Sequence, residues 1–119
     1  MELNLIEVDH HTIAEVVADG VAVNNIRDAL DVIAEANYHG ADSLMLQTDH
    51  LSRDFFDLRT GLAGEILQKC ANYYMRLAVV GRVDQFGSNS FNAFVVECNR
   101  GNAVFFAADR AAAISRITR

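Results

Sequence analysis

FFDLRTGLAGEILQK, Phe55 to Lys69, decides how the rest of the chain is read. It opens on two adjacent aromatics, passes through Asp57, Arg59, Thr60 and Gly61, and closes on an apolar stripe of Leu62, Ile66, Leu67 and Cys70. That spacing predicts a helix with one buried face, running to about Tyr74 and fed by a polar loop. SLMLQ (Ser43–Gln47) before it and MRLAVVG (Met75–Gly81) after it are compact apolar runs of strand length, bounded by polar residues or glycine. A buried helix between two buried strands predicts a parallel pair joined by a crossover.

Working toward the N-terminus, Asn24 or Asn25 offers a helix cap, and Ile26, Ala29, Leu30, Ile33, Ala34 and Asn37 follow at helical spacing until Gly40 stops them. Before that, LNLIEV and TIAEVV read as two short strands joined by a tight turn around Asp9 to His11, with Asp19-Gly20 as the next turn. Toward the C-terminus, Asp84 to Asn89 is a polar loop in which Ser88 is a loop residue, and Ser90 caps a short helix carrying Phe91, Phe94, Val95 and Cys98. Ala103 to Ala107 is a last strand, and Asp109 caps a final helix with Arg116 and Arg119 near its negative end. The order predicts one α/β domain over residues 1–119, with a mostly parallel central sheet, an N-terminal hairpin as its antiparallel edge and about four helices.

Composition narrows the function. Ten basic against sixteen acidic residues give a net charge of −6, and the basic residues form no stripe, which argues against nucleic acid. No apolar run reaches the roughly 18 to 20 residues that span a bilayer, and the N-terminus is acidic where a signal peptide is basic. A soluble, non-secreted protein with no membrane partner is the expectation. Cys70 and Cys98 lack metal-type spacing and read as buried free thiols, with a redox pair as the alternative. No cofactor and no metal are expected: Asp9-His10-His11 lacks a third ligand, and Gly81 and Gly87 lack the lysine and spacing of a phosphate loop.

Candidate site residues gather around the opening stretch. Thr60 has its hydroxyl at a helix N-terminus, where backbone N–H groups and the dipole favour a phosphate; the plainer reading is a capping hydroxyl, with Gly61 allowing close packing. Asp57 and Arg59 flank it as an ordinary cap or ion pair, and Ser52 offers a further cap. Asp49 and His50 end the central strand, where open α/β sheets bind ligands; His50 facing Asp49 or Asp57 would suit acid–base work, against a solvated loop histidine. Most of Phe55, Phe56, Phe86, Tyr73 and Tyr74 belong to a core, but two adjacent phenylalanines do not easily both point inward, so one of Phe55 and Phe56 is expected at the surface as an interface anchor.

The element order, with a helix opening in Thr60-Gly61-Leu62, resembles the STAS fold of sulfate-transporter tails and anti-sigma-factor antagonists. In the antagonists a Ser-Gly-Leu at that position carries the serine phosphorylated by a partner kinase, so the resemblance makes Thr60 the candidate phospho-acceptor. AGEILQKCANYYMRLAVVG is similar to the helix and strand that follow in that family. Two departures are the acceptor, here threonine, and the acidic residue, here Asp57, three positions upstream. NNIRDALDVIAEANYHGAD, FFDLRTGLAGEILQK, LAVVG and ECNRG resemble the bacterial domain of unknown function 4180 family over nearly the whole chain. That resemblance implies a bacterial cytoplasmic protein and a STAS-like fold, and brings no activity. The expectation is a non-enzymatic regulatory module presenting the loop Leu51–Leu62 to a protein partner. A small-molecule-binding protein or weak enzyme using His50, Asp49 and Asp57 at the sheet's carboxyl edge is one alternative, and a homodimeric structural domain is another.

Overall fold

The computed structural model describes residues 1–84 and 88–119; the expectations for Phe86 and Gly87 lie outside them. Among these residues the chain forms β1 (Glu2–Val8), β2 (His11–Val17), α1 (Ile26–Tyr38), β3 (Ser43–Gln47), α2 (Leu62–Asn72), β4 (Arg76–Val80), α3 (Asn89–Arg100), β5 (Val104–Ala107) and α4 (Arg110–Ile117). The strands lie side by side in chain order, β1 antiparallel to β2 and the others parallel. The α/β class, the mostly parallel sheet, the hairpin edge and the four helices all match the sequence reading.

Strand alternation sends successive side chains to opposite faces, so each strand feeds two cores. Ala14, Leu44, Leu46, Leu77, Val79 and Phe106 face one way and meet α1, α2 and α3. Crossovers of one hand, moving one way across a sheet, keep their helices on a single face. The helix after the last strand folds onto the other face, where Ala113 and Ile117 of α4 cover Ile13, Met45, Ala78 and Phe105.

Local chemistry sets the boundaries. Asp9 and His10 take φ of 48° and 68°, which makes the hairpin connection a two-residue turn of the primed type, and His11 already belongs to β2. Asn25 caps α1 by accepting from Asp28 N at 2.9 Å. The buried row of α1 is Ala29, Val32, Ile33 and Ala36, whereas Ala34 and Asn37 face solvent. Both rows have helical spacing. Ser88, not Ser90, caps α3, accepting from Phe91 N at 3.2 Å.

α2 ends earlier than expected, at Asn72. Tyr74 N donates to Ala71 O and Met75 N to Cys70 O, the paired closing bonds of a helix C-terminus, with Tyr74 in the left-handed region at φ 54°. Tyr73 and Tyr74, two of the five aromatics of which most were expected in the core, are exposed, Tyr74 to 92%. The helix stops one turn short of carrying them inward. Left-handed backbone costs a side-chain-bearing residue about 1 to 2 kcal/mol, and glycine's freedom in the unfolded chain returns about half of that. Tyr74→Gly should therefore stabilise the protein by about 0.5 to 1 kcal/mol, seen as a rise in Tm of about 2 to 5 °C. An unchanged or lower Tm would mean that the tyrosine ring makes a compensating contact.

Candidate functional site

The connection from β3 to α2 is a chain of single turns, Thr48–His50, Arg53–Phe56 and Leu58–Thr60, ending at Gly61. Gly61 has φ 79°, and its carbonyl accepts the first bond of α2 from Glu65 N at 3.0 Å. A left-handed residue here lets the chain turn sharply from the last single turn into the helix. Thr60 is exposed and stands just before that turn. Its hydroxyl lies 2.6 Å from Asp54 O and 2.9 Å from Asp57 O, to which it donates, and it accepts from Leu62 N at 3.2 Å. The capping reading is thus met in a modified form. Gly61 holds the cap position, while Thr60 Oγ1 reaches past it to satisfy one of the helix's unpaired N–H groups.

Asp57 and Arg59 form an exposed two-pronged pair, Nε to Oδ1 at 3.0 Å and Nη2 to Oδ2 at 2.9 Å, and Asp57 also accepts from Arg59 N at 3.1 Å. The Arg59 hydrogen bonds hold the Asp57 carboxyl below its usual range. Ser52 is half-buried and donates to Asn24 O at 3.3 Å, tying the loop to the entry of α1.

The surface anchor is corrected. Phe55 and Phe56 are both buried, at 0% and 6% exposure. Adjacent rings both point inward because the single turn Arg53–Phe56 is neither strand nor regular helix, and the rings meet edge to face at 5.2 Å. Phe91 lies beyond them, 6.2 Å from Phe55 and 5.4 Å from Phe56.

His50 is also corrected, from a solvated loop residue to a buried one. Its Nδ1 lies 3.1 Å from Gln47 N and its Nε2 3.3 Å from Ala18 O. A backbone N–H only donates, so Nδ1 is the unprotonated nitrogen and Nε2 carries the hydrogen toward Ala18. The reason for this bridge lies in the sheet. β2 and β3 pair only through Ile13–Glu15 and Ser43–Met45, although both strands run on to Val17 and Gln47. Past Met45 they splay, and the imidazole supplies the link that the backbone ladder has stopped making.

The splay opens a cleft of about 440 Å³ lined by Glu15, Val16–Gly20, Gln47, Asp49 and His50. Asp49 and His50 both line this cleft, at the carboxyl ends of parallel strands, but the His50 ring bonds Gln47 N and Ala18 O. Asp57 does not join them; it lines a separate cleft with Phe56, Leu58, Arg59, Ser88 and Ser90. Glu15 and Gln47 were not foreseen. Arg110 binds Glu15 at 2.6 and 3.2 Å, Asn4 donates to it at 3.1 Å, and the Arg110 bonds hold its carboxyl below the usual range. The signal for Glu15 was an acid set between Ala14 and Val16 in the otherwise apolar run from Ile13 to Val17.

Cys70 is buried in α2 and its thiol is pushed up to about 12 by burial; Cys98 is half-buried, and both are free. Among the described residues no group of three His, Cys, Asp or Glu is placed to hold a metal ion. No helix among them is long and apolar enough to cross a membrane. A family model described as a domain of unknown function (DUF4180) matches residues 8–117. No curated protein and no solved structure matches the chain.

Proposed function

The chain belongs to the family described as a domain of unknown function (DUF4180), and we propose that it is a STAS-like regulatory module whose contact surface is the exposed part of Arg53–Gly61, switched at Thr60. One observation carries the reading: the exposed Thr60 hydroxyl binds Asp54 O, Asp57 O and Leu62 N at once. Chemistry on one accessible oxygen therefore reaches the whole loop and the start of α2. Transfer of a phosphoryl group from a partner kinase's nucleotide to Oγ1 releases the hydroxyl proton and with it the bonds Oγ1 donates to the two carbonyls, which keep only their backbone donors, Asp57 N and Thr60 N. It also adds about two negative charges between the backbones of two acidic residues. The α2 N-terminus welcomes that charge while the carbonyls repel it, so the loop changes shape. The chain-order sheet, with α1 to α3 on one face, supports the STAS-like part of the reading.

Thr60→Asp is expected to release a protein partner that the wild type and Thr60→Ser retain, and to speed amide exchange over Asp54–Leu62. Affinity capture with mass spectrometry reads the first and hydrogen exchange the second. Unchanged binding in both Thr60→Asp and Thr60→Ala would end the switch idea.

The cleft between the splayed strands favours a second reading, a small-molecule site formed by Glu15, Gln47, Asp49 and the backbone of Ala18–Gly20. Saturable thermal stabilisation by a metabolite, abolished in Gln47→Ala, would place this reading ahead of the first.

A further inference from the structure

Among the described residues β1 is one of the two edge strands of the sheet. Along its whole length it pairs one to one with β2. Glu2–Val8 contains no proline, lysine or arginine, and the unbroken register leaves no room for a bulge. Those are among the features by which edge strands are ordinarily kept from pairing with another chain, and the two charged residues that β1 does carry, Glu2 and Glu7, stand near its ends. The backbone pattern follows from the turn. Asp9 and His10 form a two-residue connection, so Val8 and His11 are the hydrogen-bonded pair that closes it, and hydrogen-bonded pairs then alternate along the ladder. The N–H and C=O groups of Leu3, Leu5 and Glu7 are consequently turned away from β2, toward open edge. Leu5 presents an apolar side chain beside them, 43% exposed.

We propose that this edge is covered by a second copy of the chain, β1 against β1 in antiparallel register across a two-fold axis, making one continuous sheet. An antiparallel edge is its own complement under a two-fold, which is why a second copy fits it without any further adaptation. Charge and the two leucines together choose the register. Opposed residues in a continuous sheet must share a face, which excludes the register that sets Glu2 against Glu7. With Asn4 on the axis, Leu3 faces Leu5 of the second copy on one side of the sheet, Glu2 faces Ile6 on the other, and no two glutamates are opposed. Like charges directly opposite would weaken the pairing, and this register avoids them while gathering the leucines. The surface shares no residue with the Thr60 loop, so either proposal survives failure of the other.

Light scattering on purified protein tests the dimer. Wild type is expected at twice the chain mass of 13.1 kDa, and Leu5→Lys, at an exposed position that leaves the circular dichroism unchanged, at half the wild-type value. Asn4 would form a non-hydrogen-bonded pair across the axis, at about 4.5 Å between Cα atoms, within reach of a disulfide. Asn4→Cys in a Cys98→Ser background should therefore give a covalent dimer on mild oxidation, and Cys98→Ser alone should not. A wild type that stays monomeric at millimolar concentration overturns the proposal. A dimer indifferent to Leu5→Lys that does not cross-link through Asn4→Cys overturns it equally, because the two-fold axis then lies elsewhere.

Discussion

Phe55→Ala is expected to remove about 3 to 5 kcal/mol of stability, the range for emptying a fully buried phenylalanine site. Domains of this size are stable by about 5 to 15 kcal/mol, so the variant keeps only part of its margin. The expectation rests on position. Phe55 has no exposed surface, and its ring is 5.2 Å from Phe56, 6.2 Å from Phe91 and 6.5 Å from Phe106. Phe91 in turn meets Phe94 at 5.7 Å and Phe106 at 5.9 Å, so one cluster joins the loop ahead of α2 to α3 and to β5. Urea unfolding should show a lower midpoint at unchanged slope. Phe55→Leu, which keeps most of the volume, should cost less than about 1.5 kcal/mol. Asp54 O, one residue away, accepts from Thr60 Oγ1. Freeing the Phe55 backbone should therefore also raise amide exchange across Asp57–Leu62. A cost below about 1 kcal/mol would show that the ring does not tether the loop.

The same ring shows where sequence reading works and where it stops. Periodicity is local, so the strands Ser43–Gln47 and Met75–Gly81 and the helix between them were legible to within a few residues. Thr60 was legible as the residue at the mouth of that helix because Gly61 marks the turn. Phe55 and Phe56 were not, because alternation rules apply to strands and helices, and a single turn between them obeys neither. Tyr74 was misplaced for a related reason: it continues the apolar composition of α2, but the closing bonds to Cys70 and Ala71 end the helix before the pattern does. Glu15 depends on Arg110, 95 residues later in the chain, a pairing that only the placement of α4 on the far face of the sheet creates. Gly81 lies between these cases. It was read as a strand stop, and the deeper constraint is a neighbour: at φ 133°, a Cβ there would stand 2.7 Å from Thr48 Oγ1.

His50→Ala should cost about 2 to 4 kcal/mol. The imidazole occupies the point where the β2–β3 ladder ends, accepting from Gln47 N and donating to Ala18 O. Its own carbonyl accepts from Ala22 N at 2.8 Å and Val23 N at 2.9 Å. Removing the ring leaves Gln47 N–H and Ala18 C=O without partners, and each such group costs about 1 to 3 kcal/mol when it is shut away from water. Ala18 and Gln47 both border the open cleft, so water can reach part of what the ring leaves and the cost stays below that of two fully buried losses. Two substitutions separate them. The side-chain oxygen of His50→Asn falls near the position of Nδ1 and should keep the Gln47 bond. The terminal nitrogen of His50→Gln reaches the position of Nε2 and should keep only the Ala18 bond. If the ring serves as the missing rung of the ladder, Asn and Gln each recover part of the loss, and exchange of the Gln47 amide is fast in the Ala and Gln variants and slow in Asn. A cost under about 1 kcal/mol for Ala would mean that the strands hold their spacing unaided. Given the buried ring and the two backbone groups it joins, the splayed strands should instead draw together in His50→Ala and narrow the cleft above them, so that any ligand taken up between Glu15 and Asp49 is lost with the bridge.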